Sequence, residues 1–162
     1  LHLSLGRCVV TYEEQEVRRE LAILASSARG RQLLQLALRG IARGEHKLTA
    51  GCWVDAGIAG CLFQHAYWQG VEEGFFADTG RPGDWVGGFV GAGDYGIVIR
   101  AIAAFDRFAK AEYADVRHRR LLPDTVAVRM DDWRRAVERL LVETLAREQR
   151  PSPEREEVTA TL

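Results

Sequence analysis

Apolar residues recur every three or four positions through most of this chain, and that spacing restricts its fold more than any other feature of the sequence. Because an α-helix has about 3.6 residues per turn, each such set falls on one face of a helix. Five stretches show the pattern: one after Thr11, three at about residues 31–43, 59–74 and 95–120, and one from Asp131 or Asp132 to about Glu148. The sequence therefore predicts a mainly α fold, a single domain of about five helices.

Helix-capping residues mark several of the predicted ends. Thr11 is followed three residues later by Glu14, the pattern of a capping box, in which a hydroxyl and a carboxylate satisfy the first amides of a helix. The serines of the 26–30 segment can cap a second helix, and Gly44 can end it. Asp94 is predicted to cap the fourth helix.

Glycine and aromatic residues are concentrated between the predicted third and fourth helices. Residues 70–96 hold nine of the chain's 16 glycines and indicate a long loop. Glycine allows backbone and aromatic rings to approach closely, so we expect the rings to fold over the third helix. There they either close the core or line a pocket for a flat or apolar ligand. The candidate ligand-binding residues are Trp68, Phe75, Phe76, Trp85, Phe89 and Tyr95.

Both ends of the chain are expected to lie outside the helical domain. Residues 1–10 resemble translated sequence upstream of a bacterial start codon, with Val9 or Val10 as the true first residue. Residues 11–149 form the predicted domain. The charged and small residues at 150–162 predict a disordered tail.

Composition argues against several classes of partner. A net charge of −1, from 22 basic and 23 acidic residues, creates no overall field that would attract nucleic acid or an anionic membrane. No run approaches the roughly 18 apolar residues that span a bilayer, and no pattern marks a secretion signal. Three cysteines, an odd number in a chain that needs no bridges, indicate reduced thiols. We expect a cytoplasmic protein that binds neither nucleic acid nor membrane.

One face of the predicted third helix gathers side chains that can carry chemistry. At 100° per residue, Cys61, His65, Trp68 and Glu72 fall within an arc of about 60°. A cysteine and a histidine one turn apart can share a tetrahedral metal. Cys52, on the preceding loop, can supply a further ligand. One hypothesis is therefore a zinc or iron site of Cys52, Cys61, His65 and Glu72; the other is a packed face, since free cysteine behaves as a small hydrophobe.

The same side chains also permit a thiol nucleophile with a general base. His65 would activate Cys61 or Cys52, and Asp55 or Asp78 would orient the imidazole ring. A helix amino end lowers the pKa of a thiol, which favours Cys61. The sequence supplies no oxyanion hole and does not define the third member of a triad. The catalytic candidates are thus Cys61, His65 and Cys52.

Because no catalytic signature is complete, the sequence favours a binding function. It predicts a small protein that binds a ligand or a partner through the third helix and the glycine-aromatic loop. The alternative is a metal- or thiol-dependent enzyme that uses the Cys61 and His65 face. If the aromatic residues of the third helix are exposed, this helix is instead a protein-binding face, most simply for a homodimer.

Overall fold

The mainly α fold is confirmed. The computed structural model describes residues 9–50, 54–55, 59–78, 86, 88–115 and 128–149. These residues contain the helices α1 (Tyr12–Ala25), α2 (Ala28–Arg43), α3 (Leu62–Glu72), α4 (Ala92–Phe108) and α5 (Met130–Glu148). The chain continues from α4 into a π-helical turn, Ala109–Tyr113. The predicted leader lies mostly, and the predicted tail entirely, outside the described residues.

The predicted capping residues set the helix ends in the first part of the chain, although the Glu14 carboxylate of the capping box binds Arg18 and Arg139. Thr11 Oγ1 accepts a hydrogen bond from the Glu14 amide at 3.3 Å. Ser27 Oγ accepts one from the Gly30 amide at 3.0 Å. Gly44 ends α2 in the left-handed conformation, with φ at 69°, which glycine adopts without steric penalty. These partners are neighbours in sequence, so the local pattern predicts them.

The prediction that Asp94 caps α4 is wrong. The helix begins after Gly91, without a side-chain cap, and Asp94 lies in its first turn. Its Oδ2 atom accepts a hydrogen bond from Ser27 Oγ at 2.9 Å, across 67 positions of sequence. The carboxylate therefore joins α4 to the turn between α1 and α2.

Several predicted boundaries also change. The third helix begins at Leu62 rather than near residue 59. The fourth is α-helical only to Phe108 and then widens into the π turn. The fifth begins at Met130, so both predicted capping aspartates lie inside its first turn. Residues 86 and 88–90, which the sequence assigns to the long loop, are helical.

A small sheet precedes α3. The sequence predicts a loop over residues 49–59, but two of the three strands lie there: β1 (Lys47–Leu48), β2 (Val54–Asp55) and β3 (Ala59–Gly60). The strand order is β1-β3-β2, with β1 parallel and β2 antiparallel to β3. Strands of two residues are too short to show an alternating pattern, which explains why the sequence does not reveal them.

The core lies where helices α1 to α5 meet, with α2 packed mainly on α3 and α1 mainly on α4. Trp133 of α5 is 1% exposed. Its ring centroid lies 6.0, 5.8 and 5.5 Å from those of Phe105, Phe108 and Tyr113. Among the described residues, no helix has both the length and the apolar composition that crossing a bilayer requires.

Candidate functional site

A glycine near the carboxyl-terminal end of α2 lets that helix approach α3 closely. A Cβ atom at Gly40 would lie 2.5 Å from the carbonyl oxygen of His65 and 3.3 Å from Cβ of Gln69. The two helices therefore meet through backbone at this point, because only glycine leaves the necessary space. Longer side chains beyond this contact form the walls of a cleft.

The cleft has a volume of about 170 Å³ and lies between α2, α3 and the turn that leads into β1. Its walls combine two imidazole rings, an indole, an amide and three charged groups. The lining residues are Gly40, Arg43, Glu45, His46, His65, Trp68, Gln69 and Glu72. The cleft thus brings histidine, tryptophan and charged side chains together around one cavity.

His65 forms the buried part of the cleft and is 1% exposed. Burial lowers its pKa, because a buried imidazolium loses hydration; the backbone carbonyls of Lys47 and Gly40 offset part of this effect. The ring is therefore neutral near neutral pH. Its Nε2 atom lies 3.2 Å from the Lys47 carbonyl oxygen, which only accepts, so we assign the proton to Nε2. The buried Nδ1 atom then carries a lone pair and makes no hydrogen bond of normal geometry.

Acidification is expected to destabilise the protein through His65. The folded-state pKa lies below the unfolded value of about 6.5, so the unfolded chain takes up a proton first. The free energy of unfolding should fall as pH decreases through about 6.5 towards the folded-state pKa, by at most about 1.4 kcal/mol per pH unit. Urea unfolding of the wild type and of His65→Gln between about pH 7.5 and about pH 5.5 measures the difference. Identical pH dependence in both proteins would contradict it.

His46 and Trp68 form a stacked pair next to His65, nearer to the surface. Their ring centroids are 3.9 Å apart and their planes are inclined by 27°. The indole of Trp68 also meets His65 edge to face, at 5.3 Å and 80°. Both outer rings are half-buried, whereas His65 is buried. The three rings thus make an aromatic wall that runs from the surface into the protein.

Charged side chains surround the opening of the cleft. Arg43 forms ion pairs with Glu72 and, at 2.5 Å, with Glu45. Beside them, Arg39 Nε donates to Glu73 Oε1 and Arg39 Nη2 donates to Glu73 Oε2, both at 2.8 Å. Exposed pairs of this kind contribute little to stability. The Arg43 pairs place opposite charges in the lining of the cleft.

The predicted face of the third helix is divided between two cavities. His65, Trp68 and Glu72 line the cleft, but Cys61 does not. Cys61 precedes the first residue of α3 and has an extended backbone, with φ at −71° and ψ at 174°. The helical angle of 100° per residue therefore does not apply to it. Its side chain is 5% exposed and lines a smaller cavity bordered by α3, α4 and α5.

The described residues contain no group of three or more His, Cys, Asp or Glu side chains that could hold a metal ion. Cys61, His65 and Glu72 are therefore not gathered into a metal site. Cys52 lies outside the described residues, so a metal or thiol site that includes it stays a prediction. Of the two acids proposed to orient His65, Asp78 accepts a hydrogen bond from the Tyr67 hydroxyl at 2.9 Å.

The glycine-aromatic segment packs on α3 beside Gly70. A Cβ atom at this glycine would lie 2.0 Å from the ring of Phe76, so the ring occupies the space that a larger residue would fill. Phe76 in turn meets Phe89 edge to face at 5.0 Å. Both rings, with Tyr95, are half-buried against the core. These three candidate ligand-binding residues therefore help to close the core.

The remaining aromatic candidates have different environments. Trp68 lines the cleft, and Phe75 is 48% exposed on the surface. Trp85 lies outside the described residues. Of the predicted ligand-binding set, Trp68 therefore lies in a cavity with hydrogen-bonding groups.

Comparison with known proteins does not inform the function. No protein-family model, curated protein or solved structure matches this chain. The site is interpreted below from its own chemistry.

The sequence prediction missed the contribution of α2 and the following turn to the cleft. His46 and Glu45 belong to a short polar turn, a composition that indicates nothing beyond solvent exposure. Gly40 is the one residue whose pattern could have indicated this contribution, because a glycine inside a strongly helical stretch often marks a close approach of another backbone. Arg43, one turn later on the same face, would then be expected near the neighbouring helix.

Proposed function

We propose that this protein binds a small polar ligand in the cleft between α2 and α3. The observation that supports this proposal is the buried Nδ1 atom of neutral His65, which makes no hydrogen bond of normal geometry, beside the stacked rings of His46 and Trp68. Ligand sites typically combine aromatic walls with a few hydrogen-bonding groups, and Gln69 adds an amide to this set.

The lining restricts the chemistry of the ligand. An imidazole lone pair accepts a hydrogen bond, so the ligand should offer an N–H or O–H group to His65 Nδ1. The indole and imidazole rings favour a planar group that packs against them. The cleft volume of about 170 Å³ is smaller than the roughly 300–1,000 Å³ of sites for drug-sized ligands. Because Nδ1 is buried, binding also requires that the aromatic wall open.

Saturation-transfer NMR with a library of planar polar fragments, including imidazoles, pyrazoles and aromatic amides, tests the proposal. We expect a subset of fragments to bind the wild type and to lose binding in Trp68→Ala and in His65→Gln. Phe75→Ala is the matched control, because it removes an exposed aromatic residue that lies outside the cleft. Thermal melts show whether each variant is folded.

Fragment binding that survives both Trp68→Ala and His65→Gln would overturn the cleft as the site. Loss of binding in Phe75→Ala alone would instead support the glycine-aromatic segment as the ligand site. Absence of any binding fragment would count against a small-ligand function.

A protein-binding role of α3 has less support. Tyr67 and Gln69 are 3% and 8% exposed, and Trp68 is half-buried in the cleft. The aromatic side of α3 therefore offers little free surface to a partner or to a second copy of the chain. A homodimer, a cytoplasmic location and the lack of nucleic-acid binding stay predictions from the sequence.

The thiol-dependent form of the enzymatic alternative requires a reactive thiol, and Cys61 is expected to resist alkylation in the folded protein. Its side chain is 5% exposed and lines an internal cavity, so iodoacetamide should reach it only after unfolding. Peptide mapping by mass spectrometry, after alkylation with and without denaturant, measures this separately for each cysteine. Labelling of Cys61 in the native protein near neutral pH would support the thiol enzyme.

A further inference from the structure

Two neutral side chains in the lining of the cleft offer hydrogen-bond acceptors. Gln69 Nε2 donates to Glu73 at 2.7 Å, and because a carboxylate only accepts, this contact fixes the orientation of the amide. Gln69 Oε1 lies 3.4 Å from Arg43 Nη1. The buried Nδ1 atom of His65 is the second acceptor, and it makes no hydrogen bond of normal geometry. A ligand that satisfies both groups has to donate more than one hydrogen bond.

The charged side chains in the lining carry more negative than positive charge. Glu45 and Glu72 contribute two carboxylates, and Arg43 contributes one guanidinium. Next to the cleft, Arg39 and Glu73 pair with each other and add no net charge. Complementary charge favours the encounter of a ligand with its site, so this lining favours a cation over an anion.

The Arg43 side chain shows how the two carboxylates accept a planar cation. Its Nη2 atom donates to Glu45 at 2.5 Å, and its Nη1 atom donates to Glu72. Both carboxylates therefore lie along the edge of one guanidinium group. Each uses one oxygen for Arg43 and is about half exposed, at 54% and 53%, so the second oxygen is left for a ligand.

The aromatic wall accepts a flat, nitrogen-containing group. The imidazole ring of His46 stacks on the indole of Trp68, with 3.9 Å between the ring centroids. When the wall opens for a ligand, the indole face that His46 covers becomes available. A cation placed over an indole face is attracted by the negative charge of that face.

We propose that the ligand of the cleft is a planar cation of the amidinium or guanidinium class, an inference that rests on the proposed binding function. Such a group carries N–H donors on more than one edge. One edge pairs with the second oxygens of Glu45 and Glu72, and the other donors meet Gln69 Oε1 and His65 Nδ1. Its flat face packs on the indole of Trp68. A neutral amide offers fewer donors, and an anion would be repelled by the excess carboxylate.

Three fragments that share a benzene ring and differ in charge test the inference: benzamidinium, benzamide and benzoate. An NMR titration of the wild-type protein measures the Kd of each. We expect benzamidinium to bind about tenfold more tightly than benzamide, because an ion pair and a cation–π contact at a half-exposed site each contribute a few-fold. Benzoate should show no binding.

The double variant Glu45→Gln, Glu72→Gln removes both negative charges and keeps the size and an acceptor oxygen of each side chain. The preference for benzamidinium over benzamide should then disappear. Glu148→Gln is the matched control, because it makes the same chemical change at an exposed residue outside the cleft, and it should keep the preference. Thermal melts show whether each variant is folded.

The outcomes separate this inference from the proposed function. If benzamide or benzoate bound as tightly as benzamidinium, or if other planar fragments bound and these three did not, the cationic class would be overturned and the binding function would stand. A preference for benzamidinium that survives in the double variant would also overturn the inference. If no planar fragment bound at all, the inference and the proposed function would fail together.

Discussion

Replacing Trp133 by alanine should destabilise the protein by about 4 kcal/mol, the largest effect expected from a single substitution in this chain. The side chain is 1% exposed and lies in contact with an aromatic cluster from α4 and the π turn. Its removal loses the transfer free energy of a large ring and leaves a cavity that the surrounding rings cannot fill. Urea unfolding followed by circular dichroism measures the change.

The matched control is Trp133→Phe, which keeps an aromatic ring in the cluster and removes the indole N–H. Its cost should be clearly smaller than that of the alanine variant, because less volume is lost. A loss of less than about 1.5 kcal/mol in Trp133→Ala would show that the cluster relaxes around the cavity, and would contradict the central place assigned to this residue.

Gly40→Ala should destabilise the protein by about 2 kcal/mol and disturb the cleft at the same time. The new Cβ atom would lie 2.5 Å from a backbone oxygen of α3, closer than unbonded atoms approach, so one helix must move away from the other. The gain in helix propensity, up to about 1 kcal/mol, is too small to offset this overlap. Urea unfolding measures the stability and NMR measures fragment binding. We expect the free energy of unfolding and the affinity for fragments to decrease together.

Gly96→Ala is the control for the Gly40 variant. Gly96 also lies inside a helix, but a Cβ atom there meets nothing within 4 Å. Alanine should therefore stabilise the protein by as much as about 1 kcal/mol. If the two alanine variants changed stability in the same direction and to the same extent, helix propensity alone would explain both, and the close contact of α2 with α3 would be refuted.

The candidate site shows why a helical face read from sequence is sensitive to where the helix begins. The sequence pattern places Cys61, His65, Trp68 and Glu72 on one side of a helix that starts near residue 59. In the structure the helix starts at Leu62, so Cys61 has an extended backbone and its thiol lines another cavity. The other three residues, all inside the helix, do share one cleft. A shift of three residues in one boundary thus separates the thiol from the imidazole.

The helix caps show that a sequence predicts hydrogen-bond partners that are close in sequence but not those that are distant. Thr11 and Ser27 accept hydrogen bonds from amides three residues away, a distance that a short sequence motif encodes. Asp94 carries an equally good capping pattern, but its carboxylate bonds to Ser27, which belongs to another part of the chain. The local pattern cannot indicate which capping residue has a competing tertiary partner.

The sequence by itself determined the mainly α class, the approximate helices and the ends that local hydrogen bonds define. Apolar periodicity and capping depend on residues within one or two turns, so they are visible without the fold. The tertiary structure alone decided that His46 stacks on Trp68, that α2 and the following turn supply half of the residues lining the cleft, and that Thr49 and Trp133 line one small cavity. These contacts join residues from different elements, and their energies depend on distances that only the packed chain defines.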